Sequence, residues 1–283
     1  MTEKRRDEIL MSQRKHDSNV LRQISNLIVD MDGVLYRGQE SLPGAREFLT
    51  YLVEAGVPFI LATNNSTLTP GQYVAKLAGM GMEVTEDRIL TSGQASALHV
   101  ARVAPAGTKV YAIGEDGLFS ALREEGFELT ERDVQYVVVG LDRQLTWDKL
   151  RVAALAIRAG ATFVGTNPDT TLPTEEGLVP GNGANLAALQ AATGVTPLII
   201  GKPQPTLLQL AMEKMGVSRE GTAIIGDRLE TDILAGRNAG ITTVLVLSGI
   251  ATREELEDSP YHPDLVFEGI GQFYRDWREQ RTG

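Results

Sequence analysis

Asn26-Leu27-Ile28-Val29-Asp30-Met31-Asp32-Gly33-Val34-Leu35 is an apolar run that stops at two carboxylates one residue apart. A buried strand that delivers acids to its C-terminal end is the simplest reading. In open α/β sheets ligands bind beyond the carboxyl ends of strands, so acids placed there stand where chemistry is done. Gly33 lets the backbone turn away with no side chain in its path. If the strand ran on to Asp32, the two acids would share a face, and like charges that close resist joint ionisation unless a cation or proton intervenes. A divalent metal would meet that cost. Taken alone, the string reads equally well as an acidic turn capping a following helix.

Outward from this stretch the same figure recurs. Val57–Ala62 is a second apolar run, ending in Thr63-Asn64-Asn65-Ser66; Pro197–Ile200 leads into Gly201-Lys202-Pro203; Thr222–Gly226 ends at Asp227, with Asp232 five residues on. Helices are expected between them: near 43–55 behind Pro43 and ahead of Gly56, from Thr69 to Gly79, from a cap at Ser92 to about Val103, near 205–215, and near 231–239 ahead of Gly240. A strand at 243–247 completes a doubly wound, parallel α/β pattern. If all four runs lie in one parallel sheet, their tips converge on one edge.

After Pro105-Ala106-Gly107 the alternation restarts, with strands at 110–113, 136–139 and 162–165 and helices near 117–125, 146–159 and 182–192. Such a restart marks a second, smaller folding unit. The turn-rich stretch from Asn167 to Gly181 is too long for a plain connector. The expected division is a charged extension over 1–23, a core from 24–105 and 197–283, and an inserted α/β domain over 106–196.

A length of 283 residues suits one large or two modest domains, and 42% hydrophobic content supports real cores. The formal net charge of −10 argues against nucleic acid or an anionic membrane surface as the main partner. An anionic substrate would therefore be held locally, by metal and backbone amides. There are no cysteines, which excludes disulfides and thiol catalysis and fits any compartment, a reducing cytoplasm most naturally. No apolar run has membrane-spanning length, and the basic start lacks a signal-peptide core. Gly181-Asn182-Gly183 has Leu186 where a dinucleotide fingerprint needs Gly or Ala, and Gly201-Lys202 meets Pro203 where a P-loop needs Ser or Thr. His16, His99 and His262 are too scattered for zinc, and no Gly-x-Ser-x-Gly elbow is present. Trp147 and Trp277 lie on amphipathic segments and read as core residues.

Two strand-tip acids, a hydroxyl and amide, one lysine and further acids are what metal-assisted phosphoryl transfer requires. Asp30 is assigned as a carboxylate nucleophile that forms an aspartyl-phosphate. Asp32 is placed to protonate the leaving oxygen and later deprotonate water, provided its acidic neighbour raises its pKa. Mg2+ prefers oxygen ligands, and one Asp30 oxygen, the Asp32 main-chain carbonyl and Asp227 would suffice, with Asp232 bracing them. Thr63 and nearby amides are candidates to hold phosphate oxygens, or form an ordinary capping turn. Lys202, before a proline, is pushed toward extended backbone that could aim its ammonium inward.

These strings, DMDGVLYRG (30–38), TNNST (63–67), GKPQP (201–205) and GDRLETDI (226–233), in this order resemble the haloacid dehalogenase superfamily of phosphatases. The wide gap between the second and third strings is similar to the subclass with a large α/β cap inserted there. NPD and PGNGA within it resemble the NagD and p-nitrophenylphosphatase branch, subclass IIA. The resemblance covers roughly residues 26–270. It implies a Rossmann-like core with Asp30 as nucleophile, Asp32 as acid/base, Thr63 and Lys202 as phosphate ligands, and Asp30, Asp32 and Asp227 as metal ligands. Asn64 and Asn65 join the expected substrate contacts. The segment 106–196 would be the cap, with loop 167–180 reaching toward the leaving group and Asn167 and Asp169 as specificity candidates. The expected protein is a cytoplasmic, Mg2+-dependent phosphatase acting on a small phosphate monoester such as a sugar phosphate, nucleoside monophosphate or phosphoglycolate, with a homodimer through the cap implied by resemblance. Phosphotransfer to an acceptor other than water, and a non-catalytic phosphate-ligand sensor, are the alternatives.

Overall fold

A computed structural model describes residues 17–174 and 176–282. Of the charged extension, 17–23 are helical, with Leu21 buried; its residues 1–16 lie outside the described residues. The chain forms two compact units, one made of residues up to Leu61, Leu77–Val84 and from Ala211 on, the other of Ala62–Lys76 and Thr85–Leu210. Among the described residues no helix is long and apolar enough to cross a membrane.

The first unit is built on parallel strands in the order Leu265–Phe267, Thr242–Val246, Thr222–Gly226 and Asn26–Val29, followed by residues 59–61, which pair with Leu27, Ile28 and Val29. Asn26–Val29 is buried at every position, as a central parallel strand covered on both sides must be. Its register sets Val29 beside Ile225 and beside Leu61. The helix Ala45–Glu54 buries Ala45, Phe48, Leu49 and Leu52, the one-sided spacing of a helix laid on a core. It packs against the C-terminal helix Ile270–Thr282 so closely that a Cβ on Gly44 (φ 83°) would lie 2.4 Å from Gly271 Cα. Trp277 stacks on Phe273 at 5.7 Å, meets Tyr51 edge-on, and donates its indole N–H to Ile24 O at 3.1 Å.

That last strand and helix were not visible in the sequence pattern, although Trp277 was read as core and is fully buried. Trp147 is the opposite case. It stands in the first turn of the helix Trp147–Arg158, off the face that buries Ala153 and Ile157, and is 74% exposed.

The second unit holds a parallel sheet in the order Leu198–Ile199, Thr162–Gly165, Tyr136–Val139, Lys109–Ile113 and Glu128–Leu129. Its core joins Ile113, Val137 and Val139 to Ala153 and Ile157 of one helix and Leu186 and Leu189 of Asn182–Thr193. The expectation that four runs share one sheet is corrected here: Leu198 and Ile199 pair with Val164 and Gly165. Four apolar letters in a row read as a central strand, but only two residues ladder and Leu198 is exposed, which is edge-strand behaviour. The stretch after Asn167, expected as an irregular loop, contains a hairpin of Thr171–Thr174 against Gly177–Pro180. The helix placed behind a Ser92 cap begins at Ser92 itself. Thr91 is the cap, accepting from Gln94 N–H while the Gln94 side chain accepts the Thr91 N–H, a reciprocal box that the sequence Thr-x-x-Gln encodes.

Candidate active site

The acids belong to the first unit. Asp30 follows the last residue of Asn26–Val29 and donates its N–H to Ile225 O at 2.8 Å, which carries the sheet ladder one residue past the strand. Asp227 follows Thr222–Gly226, the hydrogen-bonded neighbour. Two carboxylates therefore leave adjacent parallel strands at the same end. Asp30 and Asp227 are buried, at 8% and 3% exposure, while Asp32 is exposed.

The strand does not continue to Asp32, so the shared strand face expected for the two acids is replaced by a turn. Met31 O accepts from Leu35 N–H at 2.8 Å and Tyr36 N–H at 3.3 Å, and Gly33, at φ 78°, donates to Tyr36 O. This bridge uses the carbonyl of Met31 and the amide of Gly33 rather than those of Asp32. A short hairpin, Tyr36–Arg37 against Glu40–Ser41, follows, not the helix that an acidic capping turn would have introduced. The Ser248 hydroxyl donates to Gly33 O at 2.7 Å, and Arg37 donates to Ser248 O, tying this turn to the segment after Thr242–Val246.

Asp227 is gripped by backbone. Its Oδ2 accepts from Ile250 N–H at 2.8 Å, and its own carbonyl accepts from Ala251 N–H. A Cβ on Gly33 would lie 2.3 Å from that oxygen and one on Gly249 only 1.9 Å from it. Both positions must be glycine for the carboxylate to stand where it does. Asp232, 1% exposed, sits in a π-helical turn, Leu229–Ile233, and accepts from Arg228 N–H at 3.1 Å. It fills the space a Cβ on Gly226 would need, 2.2 Å away, so it braces the tip that carries Asp227.

The donors on offer are oxygen throughout, as a hard divalent cation requires, and Asp227 has one oxygen oriented by an amide. No three His, Cys, Asp or Glu side chains among the described residues gather as a metal cluster. Two carboxylates and a main-chain carbonyl would not form a cluster of that kind, and as oxygen donors their chemistry suits a magnesium ion.

The hydroxyl, amides and lysine belong to the second unit. Thr63 ends its strand with its Oγ1 accepting from Asn65 N–H at 3.1 Å, which leaves the hydroxyl proton to donate. Asn65 Oδ1 accepts from both the amide and the hydroxyl of Thr67, closing a tight turn. Lys202 is 2% exposed, and its Nζ donates to Ala62 O at 3.4 Å. Asn64 Oδ1 accepts from Lys202 N–H at 2.8 Å, and Asn64 Nδ2 donates to Lys202 O at 2.9 Å and to the Asp169 carboxylate at 3.2 Å. Asn167 Nδ2 donates to Asn64 O, and Asn167 O accepts from Asn182. Thr63, Asn64, Asn65, Lys202, Asn167 and Asp169, scattered over the sequence, are thus one connected group. Sequence reasoning missed Ser92, whose hydroxyl also donates to Asn64 O, and Gly249 with Ile250 beside Asp227. Ser248-Gly249 follows an apolar strand as Thr63-Asn64 does, and that recurrence was the signal available.

The family model for haloacid dehalogenase-like hydrolases matches residues 27–128, and a second model of the same kind matches residues 199–273. The chain is 39% identical over 253 residues to an acid sugar phosphatase of Staphylococcus aureus, covering 89% of this chain and 97% of the relative. Among solved structures, a 4-nitrophenylphosphatase from Thermotoga maritima aligns with a TM-score of 0.87 at 39% identity, covering 90% of this chain and 98% of that one. A glycerol phosphate phosphatase from Mycobacterium tuberculosis, in complex with magnesium, aligns with a TM-score of 0.85 at 31% identity, covering 92% and 79%. With the acids on adjacent strand ends and these matches along most of its length, the chain belongs to the haloacid dehalogenase-like hydrolases, in the subclass IIA group of NagD-type phosphatases.

Proposed function

We propose that this protein is a Mg2+-dependent phosphomonoesterase that hydrolyses small organic phosphates, sugar phosphates among them, through a phosphorylated Asp30. The observation that carries this reading is the pair of buried carboxylates, Asp30 and Asp227, leaving hydrogen-bonded parallel strands at one end, beside a turn locked by Gly33. The names of the relatives, which act on sugar phosphate, 4-nitrophenyl phosphate and glycerol phosphate, support the substrate class.

An Asp30 carboxylate oxygen attacks phosphorus, and the bond to the ester oxygen breaks as Asp32 supplies the proton that the departing alcohol needs. Asp32 then takes a proton from water as it attacks the phosphorylated Asp30, releasing orthophosphate and restoring both acids. Exposure suits Asp32 to this exchange with solvent, and burial suits Asp30 to a single fixed line of attack. Lys202 and the Thr63 hydroxyl hold phosphate oxygens, offsetting their charge where little water competes. Asp30, the Asp32 carbonyl and Asp227 would hold Mg2+, which when bound offsets charge on the transferring group and between the acids. The segment 106–196 acts in this reading as the cap that selects the leaving group and carries a homodimer contact.

A panel of sugar phosphates, nucleoside monophosphates, phosphoglycolate, glycerol phosphate and 4-nitrophenyl phosphate, with and without Mg2+, tests the reading. Asp30→Asn should abolish turnover while leaving the circular dichroism spectrum unchanged. Substantial Mg2+-dependent hydrolysis by that variant would rule the mechanism out.

A further inference from the structure

Asn64 uses its whole side chain inside the protein. A primary amide has two N–H donors and one carbonyl. Here the carbonyl takes the Lys202 N–H, one donor goes to the Lys202 carbonyl, and the other goes to the Asp169 carboxylate. Since a backbone N–H can only donate, the bond from Lys202 also decides which end of the amide is oxygen. The Asn64 main-chain carbonyl is occupied as well, by the Ser92 hydroxyl and Asn167 Nδ2, both at 2.5 Å. Room for this arrangement is kept by Gly201, where a Cβ would lie 2.6 Å from Asn64 Oδ1 and 2.5 Å from Thr166 O.

We infer that Asn64 is a positioning residue: its amide clamps the main chain of Lys202 on both sides of the Cα and ties it to Asp169, so that the phosphate-holding lysine and the 167–169 turn move as one piece. This departs from the expectation that Asn64 touches phosphate directly. A two-point clamp fixes both peptide planes flanking Lys202, and hence the direction in which its side chain leaves. Asp169 stands at the foot of the hairpin Thr171–Thr174 and Gly177–Pro180, and its carbonyl accepts from Gly183 N–H at the start of Asn182–Thr193. A change in that turn is therefore felt at Lys202 through the Asn64 amide, alongside the backbone bond from Gly201 N–H to Thr166 O.

The chemistry of the contact supplies the test. Replacing the amide by its isosteric acid keeps an acceptor for Lys202 N–H but sets a carboxylate against the Asp169 carboxylate, at a separation now spanned by hydrogen bonds of 3.2 and 3.3 Å. Asn64→Asp should lower kcat/KM on 4-nitrophenyl phosphate about 100-fold, chiefly through kcat, with the defect easing as pH falls and one carboxylate protonates. Adding Asp169→Asn restores a donor and acceptor with reversed polarity, and should recover about 10-fold of the loss and part of the fall in Tm. If Asn64 held phosphate itself, the second change could not help, because the new carboxylate would still oppose the substrate. Effects that simply multiply in rate and add in Tm would overturn the inference. Should Asn64→Asp fail to fold alone, folding of the double variant is the rescue; if neither folds, the cycle of Asn64→Ala with Asp169→Ala is read in the same way, coupling for and additivity against. The kinetic arm rests on the phosphatase reading, whereas the Tm cycle needs no substrate. A wild type inactive across the panel would therefore sink that reading while leaving the clamp to be decided by Tm.

Discussion

Gly33→Ala, measured against Gly38→Ala, isolates the close packing around Asp227. Both glycines hold positive φ, 78° and 61°, in the same turn-and-hairpin segment, so both substitutions carry the left-handed penalty of a Cβ. That penalty is about 1–2 kcal/mol, and the stiffer unfolded chain returns about 0.4–1 of it. A Cβ at Gly38 meets nothing within 4 Å, and the net cost there should be about 1 kcal/mol. At Gly33 the same methyl would lie 2.3 Å from Asp227 Oδ2, 2.7 Å from its Cγ and 3.0 Å from Gly249 Cα. The carboxylate has no easy retreat, because Gly249 closes on it from another side and Ile250 N–H holds it at 2.8 Å. Overpacking of this kind costs about 1–3 kcal/mol, and loss of the charged hydrogen bond about 1.5–3 more. Gly33→Ala should then cost about 3.5–7 kcal/mol in all, against about 1 for its control. At roughly 2–4 °C per kcal/mol, thermal unfolding should fall by about 2–4 °C for Gly38→Ala and by at least about 7 °C for Gly33→Ala. Displacing Asp227 should also raise the Mg2+ concentration that half-saturates activity by about 10–100-fold, the usual effect of disturbing a ligand's support. Equal Tm and equal Mg2+ dependence in the two variants would refute the reasoning.

Other outcomes follow from contacts within each unit. Trp277→Ala should lower stability to urea by about 3–5 kcal/mol, since it removes a fully buried ring stacked on Phe273, and Trp277→Phe should lose much less. Lys149→Met strands the buried Asp142 carboxylate, leaving it only the Gln144 N–H among the described residues, and should cost about 1–3 kcal/mol by the same assay, whereas Lys149→Arg should be nearly neutral. The Arg143 guanidinium, hydrogen-bonded to both oxygens of Glu115, holds that carboxyl below its ordinary range. A depressed folded value contributes stability that is present above the unfolded pKa and lost as pH falls through the folded one. Arg143→Ala should therefore flatten the acid limb of stability below about pH 4, by no more than about 1 kcal/mol because the pair is partly exposed, and an unchanged acid limb would contradict it.

How much of this could be read in the sequence depends on how local each signal is. Asp30 and Asp227 were visible because a central parallel strand writes itself as an unbroken apolar run, and the letter after the run is the strand tip. The same rule misassigned Pro197–Ile200, because a run of four letters cannot distinguish a buried strand from a two-residue edge. The C-terminal strand Leu265–Phe267 stayed hidden for a related reason: Leu-Val-Phe is apolar throughout, but a run of three letters is too short to stand out as a strand. The Thr91 cap was legible as Thr-x-x-Gln and was missed only because the serine beside it looks like a cap too.

The lysine clamp was beyond any such reading. Asn64 and Lys202 are 138 residues apart and Asn64 and Asp169 are 105 apart, and no spacing rule joins an asparagine to the main chain of a residue that distant. What the sequence did carry was composition at each end: an amide among small polar groups after one strand, and a glycine before the lysine. Gly201 is the more informative of the two. A Cβ there would crowd the Asn64 Oδ1 that accepts from Lys202, at 2.6 Å, so a glycine next to a candidate phosphate ligand points to backbone held at close range. Gly33 and Gly249 say the same of Asp227, the proposed metal ligand. In both units a charged side chain is aimed by backbone or amide contacts that only glycine makes room for, and the strings around the charges, more than the charges themselves, record that requirement.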